Sequence, residues 1–318
     1  MIMVSTFQHT ASLYKMKKFL CPFCLSTLSD EKLHWQCAAG PQKCAQRPNS
    51  KLTKIWGITT PQAHIFKEKK AILSHGQKCP KCATTTYTRC CGYCAKTLPE
   101  DLLSKNHSHI TCITSNHASA ALFYQSVYKS IEQSVGQQSN LILQSPPTTK
   151  APFILRIQGV NQAAHSFVFN ILTWEQMADS STQPLLTESS MYAIFLPFAP
   201  PSPIMPVLHL LSKHLKQSKP VAFILEECES VLAHIPPNHI FFRHMPHYGS
   251  YQKKASLALS QTFKDLVAPL WSANALQLIN KNFPLNHFFV NTAHFSNNSL
   301  TTPQGWKIDE FTLWLLNH

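Results

Sequence analysis

From residue 107 onward the apolar positions fall into short dense runs separated by longer amphipathic stretches. The runs "HITCIT" (109–114), "FILRIQGV" (153–160), "SFVFNIL" (166–172), "MYAIFLPF" (191–198), "PVAFILE" (220–226) and "NHFFVNT" (286–292) predict strands, and helices are predicted over 118–135, 205–217, 260–281 and 306–317. Several of the strands are unbroken apolar runs, as expected when helices cover both faces of a sheet. The predicted class is therefore α/β, a three-layer sheet whose first two strands after the first helix form a hairpin across "QGVNQAAHS". "SVGQQSNLILQSPPTTKAP" reads as a polar connection, and "HIPPNHIFFRHMPHYGSYQKK" as an irregular one whose histidines belong to a loop or the surface. The residues before 107 show no such rhythm: large aliphatic side chains are sparse and the β-favouring stretches are short.

Cysteine explains how that first part can fold. Nine of the eleven cysteines lie between Cys21 and Cys94, while Cys112 and Cys228 sit in apolar, strand-like surroundings. In "CPKCATTTYTRCCGYC" the pairs Cys79/Cys82 and Cys91/Cys94 flank a Thr- and Tyr-rich segment, the layout of two metal knuckles on a hairpin. Cys90 is an alternative to Cys91, one residue too far from Cys94 for the usual knuckle. A looser set, Cys21, Cys24, Cys37 and Cys44, predicts a second site, with His34 as the substitute ligand if Cys44 points away. The expectation is two structural zinc ions, one per contiguous set, each contributing about 10 kcal/mol or more to the folding of a segment with little core. A closed shell of four thiolates leaves no position for a reactive water.

Charge marks the same boundary. Residues 1–107 hold 16 Lys and Arg against 5 Asp and Glu, whereas residues 108–318 hold 12 against 10. The segment 50–78 reads as a basic, solvated insertion between the knuckles, nucleic-acid contact being the alternative. No stretch supplies the ~18 uninterrupted apolar residues of a membrane span, and the first residues lack the apolar core of a signal peptide. A cytoplasmic location is expected, with a flexible leader over 1–18 that starts at Met1 or Met16, a double zinc ribbon over 19–106 and an α/β domain over 107–318.

Two knuckle sets ending in "CGYCAKTLP" lead directly into a strand, a small-residue turn and an apolar-striped helix, "SHITCITSNHASAALFYQSVY". With "KPVAFILEECES", "FFVNTAHF" and the closing "FTLWLL", this order resembles bacterial zinc-ribbon proteins that carry a TRAFAC-clade GTPase domain of the double-GTPase type. The likeness runs from about Cys21 to Leu316. It implies a P-loop GTPase-like sheet, and it also shows what has been lost. A Walker A loop needs glycines to wrap phosphate with backbone N–H groups, a lysine for the β/γ charge and a hydroxyl for Mg²⁺. Laid on "TSNHASAA", those positions are Thr114, Ser119, Ala120 and Ala121.

The later motifs are degenerate as well. "NILTWEQM" has no Asp or Gly where the resemblance places a DxxG switch, though Glu175 is acidic nearby. "EECE" replaces the base-reading motif, with Glu227 in place of the lysine and Glu229 imitating the carboxylate; "NTAHF" supplies Thr292 and Ala293 for the last motif. After residue 107 the glycines are Gly136, Gly159, Gly249 and Gly305, none at a strand-to-helix turn that would hold phosphate.

The resemblance thus implies a catalytically inactive, zinc-containing pseudo-GTPase that binds neither GTP nor Mg²⁺. It would act through a protein partner, another GTPase-like subunit among the candidates, in a multi-protein bacterial system of the conflict or defence kind, using the former switch surface around Leu172–Leu186. Two alternatives stand beside it: a divergent NTPase using Glu175 and Glu229, and a nucleic-acid binder working through the basic N-terminal part.

Overall fold

The computed structural model describes residues 18–47, 49–67, 76–99, 107–115, 117–135, 139–145, 152–159, 165–198, 204–228, 253–290 and positions 311, 314 and 315. They fall into two units, one within Met1–Leu103 and one within Ser104–His318.

The first unit is built from turns that are nearly the same three times over. In each CxxC sequence the residue after the second cysteine takes a left-handed backbone: Leu25 at φ 57°, Ala83 at φ 60° and Ala95 at φ 63°. That reversal lets its N–H donate back to the carbonyl of the first cysteine, at 2.9, 2.8 and 2.8 Å. The N–H of each first cysteine in turn donates to Ser26, Thr84 or Lys96, at 2.9 Å in all three. Short antiparallel pairs flank all three knuckles: Phe19–Leu20 with Thr27–Leu28, Gln77–Lys78 with Thr85–Thr86, and Arg89–Cys91 with Thr97–Leu98.

The expected arrangement of two successive ribbons is not what forms. The strand Leu33–Gln36, from the first half, pairs with Arg89–Cys91 from the second and with Ile65–Phe66 on its other side. Thr97–Leu98 completes this four-stranded sheet. Trp35, buried at its centre, carries the Arg89 guanidinium 3.0 Å from its ring centroid. Residues 50–78, expected as a solvated insertion, begin with a helix, Ser50–Trp56, capped by the Asn49 side chain and ended by left-handed Gly57. Gln62–Ala63 and Ile65–Phe66 then run as strands.

The second unit is α/β. Its mixed seven-stranded sheet comprises β1 (His107–Thr114), β2 (Ser139–Ser145), β3 (Phe153–Gly159), β4 (His165–Thr173), β5 (Met191–Pro197), β6 (Val221–Glu226) and β7 (Asn286–Val290), in the order β2-β3-β4-β1-β5-β6-β7. The five strands from β4 to β7 are parallel, and β2 and β3 are antiparallel to their neighbours. The hairpin of β3 and β4 forms as expected from the sequence, but β2 occupies part of what reads as a polar connection. Helices are α1 (His117–Val135), α2 (Gln183–Glu188), α3 (Met205–His214), α4 (Lys253–Trp271) and α5 (Ala273–Asn282). The single helix expected over 260–281 is broken at Ser272, whose φ of 73° ends one helix before the next begins.

Strand alternation divides the core. Ala193 and Phe195 of β5 pack with Phe123, Tyr124 and Val127 of α1 and with Phe311, Trp314 and Leu315, the described part of the predicted last helix. Tyr192 points the other way, and its hydroxyl donates to Leu186 O of α2 at 2.6 Å. The packing against α1 is largely aromatic, with Phe123 5.3 Å from Phe195 and 5.0 Å from Phe311 between ring centroids. Such edge-to-face pairs add stability beyond their buried area.

Candidate metal centres and the turn after the first strand

Eight cysteine sulfurs come together as two tetrads. Cys21, Cys24, Cys91 and Cys94 form one, Cys37, Cys44, Cys79 and Cys82 the other, and within each tetrad the sulfurs all lie within 4.8 Å of one another. The expected partition into contiguous sets is therefore corrected. Each knuckle pair meets a pair from the opposite half of the unit, because Leu33–Gln36 and Arg89–Cys91 lie side by side in one sheet. The second tetrad, the inner one, is nested in sequence inside the first, the outer one.

The donors fit an ion. Around a tetrahedral centre with metal–sulfur bonds of about 2.3 Å, the sulfurs stand about 3.8 Å apart. The observed separations are 3.8 Å for Cys21–Cys94 and 3.7 Å for Cys24–Cys91 in the outer tetrad. In the inner one they are 3.4 Å for Cys37–Cys82 and 3.7 Å for Cys44–Cys79. Cys44 points into its tetrad and His34 takes no part. Cys90 turns away into the core, where burial pushes its thiol up to about 12.

Within each tetrad the sulfurs hold their protons unevenly: Cys21, Cys37, Cys44 and Cys94 are pushed up, whereas Cys24, Cys82 and Cys91 are pulled down. Hydrogen bonding from the Cys21 thiol lowers the Cys24 thiol well below its usual range, and the Thr84 hydroxyl with the Thr84 N–H pulls Cys82 down to about 6. Tyr93 N–H and Cys94 N–H approach Cys91 Sγ at 3.3 and 3.5 Å. Gly92 belongs to that turn by necessity: its N–H donates to Lys32 O at 2.8 Å, and a Cβ there would stand 2.4 Å from the same oxygen. Lys51 donates its ammonium to Gly92 O.

Among the described residues, the degenerate nucleotide positions fall at the end of β1, in the start of α1, and after β4 and β6. Thr114 ends β1 and is buried, and α1 begins at His117, so only two residues of sequence separate them. Ser119 and Ala120 are buried in the first turns of α1, and Ala121 is half-buried. The hydroxyl of Ser119 donates to the carboxylate of Glu226, the last residue of β6. Glu227 follows on the surface in a left-handed conformation at φ 59°. Glu175 is exposed at the start of a short 3-10 helix, where the Thr173 hydroxyl lowers its carboxyl below the usual range. Glu229, Thr292 and Ala293 lie outside the described residues.

Two residues at these sites escaped sequence reasoning. Glu226 sits within the quoted "EECE", but alternation along "VAFILE" puts it on the side of Ala222 and Ile224, toward α1; that parity was the available signal. His64, in "TPQAHIF", places Nδ1 3.3 Å from Cys79 Sγ, and nothing in its spacing marks it.

No protein-family model and no curated protein matches this chain. Among solved structures it is similar to Aquifex aeolicus Era, a point variant bound to GDP and AlF4⁻, at 13% identity and a TM-score of 0.33. It is equally similar to Era in complex with MgGDPNP and a segment of 16S ribosomal RNA, again at 13% identity and a TM-score of 0.33. Each alignment covers 67% of this chain and 56% of the Era chain, so this chain spans little more than half the length of those proteins. A likeness of that strength carries no argument about activity. No helix among the described residues is long and apolar enough to cross a membrane.

Proposed function

We propose that this chain is a pseudo-GTPase whose N-terminal unit is held together by two structural zinc ions and whose α/β unit acts by binding a protein partner. Zinc suits the two tetrads because it takes four thiolates in a closed tetrahedron; bound there, it supplies folding free energy and no reactive site. The observation that carries the rest is the turn after β1. Two residues without glycine offer few backbone N–H groups to surround a polyphosphate, and the first turn of α1 already faces the Glu226 carboxylate through Ser119. An anion drawn to that helix end would meet a negative charge of the protein's own.

In this reading the sheet serves as a scaffold whose surface is used for recognition. Between Leu172 and Leu186 the apolar side chains Leu172, Met177, Leu185 and Leu186 are buried, while Glu175, Gln176, Asp179 and Ser180 face outward. The partner contact proposed here is therefore polar, and the partner is a component of a multi-protein bacterial GTPase-type system. Two measurements test the reading. Calorimetric titration of the zinc-loaded protein with GTP, GDP and ATP in Mg²⁺ is expected to give no saturable heat up to millimolar nucleotide; saturable micromolar binding would overturn the pseudo-GTPase assignment. Gentle purification from the native host is expected to bring down a stoichiometric protein partner, and recovery of the chain alone would overturn the interaction role.

A further inference from the structure

Four thiolates around a divalent ion carry a net double negative charge, so the donors facing the sulfurs decide how firmly the ion is kept. In the outer centre such groups come from the knuckles themselves: the Tyr93 and Cys94 N–H groups, and Ser26 Oγ, 3.4 Å from Cys24 Sγ. The inner centre has a matching hydroxyl, Thr84 Oγ, 3.3 Å from Cys82 Sγ. It also has a residue from outside any knuckle.

That residue is His64, which touches three of the four inner ligands in different ways. Its carbonyl accepts the Cys37 N–H at 2.8 Å, and its own N–H donates to Cys44 O at 3.0 Å. Its ring places Nδ1 3.3 Å from Cys79 Sγ. The ring plane is set by Phe66, stacked at 5.7 Å between centroids with 25° between planes. His64 itself stands between the strands Gln62–Ala63 and Ile65–Phe66, the first paired to Ala45–Gln46 beside Cys44 and the second to Leu33–Gln36 beside Cys37. Main chain and side chain thus converge on one centre.

We propose that His64 is the positioning residue of the inner centre. It donates Nδ1–H to the Cys79 thiolate, and through this bond sets how long the inner ion is retained. The inference rests on the reading of the tetrads as zinc sites. Substitution isolates the ring, because the two backbone bonds do not depend on the side chain. Leucine removes the donor, whereas asparagine keeps an N–H near the position of Nδ1.

The test uses the full chain. Metal content is measured first; fewer than two ions per chain would overturn the zinc reading and this proposal with it. Chelator-driven release is then followed in the parent, in His64→Leu and in His64→Asn. The outer phase is assigned with a Cys37→Ser, Cys44→Ser variant. In His64→Leu the inner ion is expected to leave tenfold to a hundredfold faster, as for loss of other outer-sphere donors. In His64→Asn it should leave within a few-fold of the parent rate, and in both variants the outer phase should quicken by no more than about fivefold, the weakening that follows when the inner centre opens first. An unchanged inner phase in His64→Leu, or equal acceleration of both phases, would overturn the proposal. If His64→Leu does not accumulate as folded protein, ¹⁵N spectra of histidine-labelled, zinc-loaded parent decide the matter. The expected tautomer carries its proton on Nδ1, and an unprotonated Nδ1 would refute the donor role.

Discussion

Two quadruple variants distinguish nested centres from contiguous ones. Replacing Cys37, Cys44, Cys79 and Cys82 by serine removes the whole inner tetrad and leaves the outer one intact. This variant should bind one Co²⁺ with the charge-transfer and tetrahedral ligand-field bands of a four-thiolate site. Replacing Cys79, Cys82, Cys91 and Cys94 instead leaves half of each tetrad and should give no such spectrum. Nesting also fixes how far the surviving outer centre weakens. Its ligands Cys24 and Cys91 are 67 residues apart in sequence. With the inner centre closed, the free path shrinks to the roughly 22 residues of the two arms, Cys24 to Cys37 and Cys82 to Cys91, a threefold shortening worth about 1 kcal/mol of closure entropy. Loss of the inner centre should therefore weaken the outer ion about fivefold, measured by competition with a chelator of known affinity. One four-thiolate cobalt in the second variant and none in the first would refute the nested arrangement.

Three further perturbations follow from single positions. Gly92→Ala drives a Cβ against the Lys32 carbonyl and should destabilise the first unit by about 1–3 kcal/mol, seen as a lower thermal midpoint and faster release of the outer ion only. Ala83→Gly relieves a left-handed alanine on the surface and should stabilise the inner knuckle by up to about 1 kcal/mol in urea unfolding; a loss of stability would show that the φ of 60° is not costly there. His109, buried in β1 with neither ring nitrogen hydrogen-bonded among the described residues, is pushed down to about 4 by burial. Its folded value lies below the unfolded one, so the stability it protects is complete above pH ~6.5 and is lost as pH falls toward 4, by up to about 3 kcal/mol. His109→Leu should flatten that part of the urea-midpoint profile, and an unaltered profile would refute the assignment.

The parts of this fold legible in the sequence were those carried by local pattern. β1, β5 and β6 are dense apolar runs, and Val221, Phe223 and Leu225 alternate with Ala222 and Ile224 to fill both faces, so their identity as central strands needed no tertiary information. β2 was hidden because its Leu141, Ile142 and Leu143 stand between Gly, Gln and Ser on one side and two prolines on the other. The break at Ser272 was hidden because helical periodicity resumes within one residue. At the cysteine tetrads, CxxC spacing identifies which two sulfurs share a knuckle, but not which pairs of sulfurs come together. That choice is made by the pairing of Leu33–Gln36 with Arg89–Cys91, a contact between residues more than fifty apart that leaves no local trace. Glu226 was legible in principle through strand parity; His64 was not, since its role depends on three cysteines converging on it.

The nesting of the tetrads also gives the first unit a timetable. A chain made from its N-terminus exposes Cys37 and Cys44 while the outer pair Cys21/Cys24 is still waiting, and Cys79 and Cys82 arrive before Cys91 and Cys94. An ion bound by the inner tetrad would be enclosed before the last knuckle exists. With metal in both tetrads, vectorial synthesis would meet the two centres in the order that makes the second easier to close.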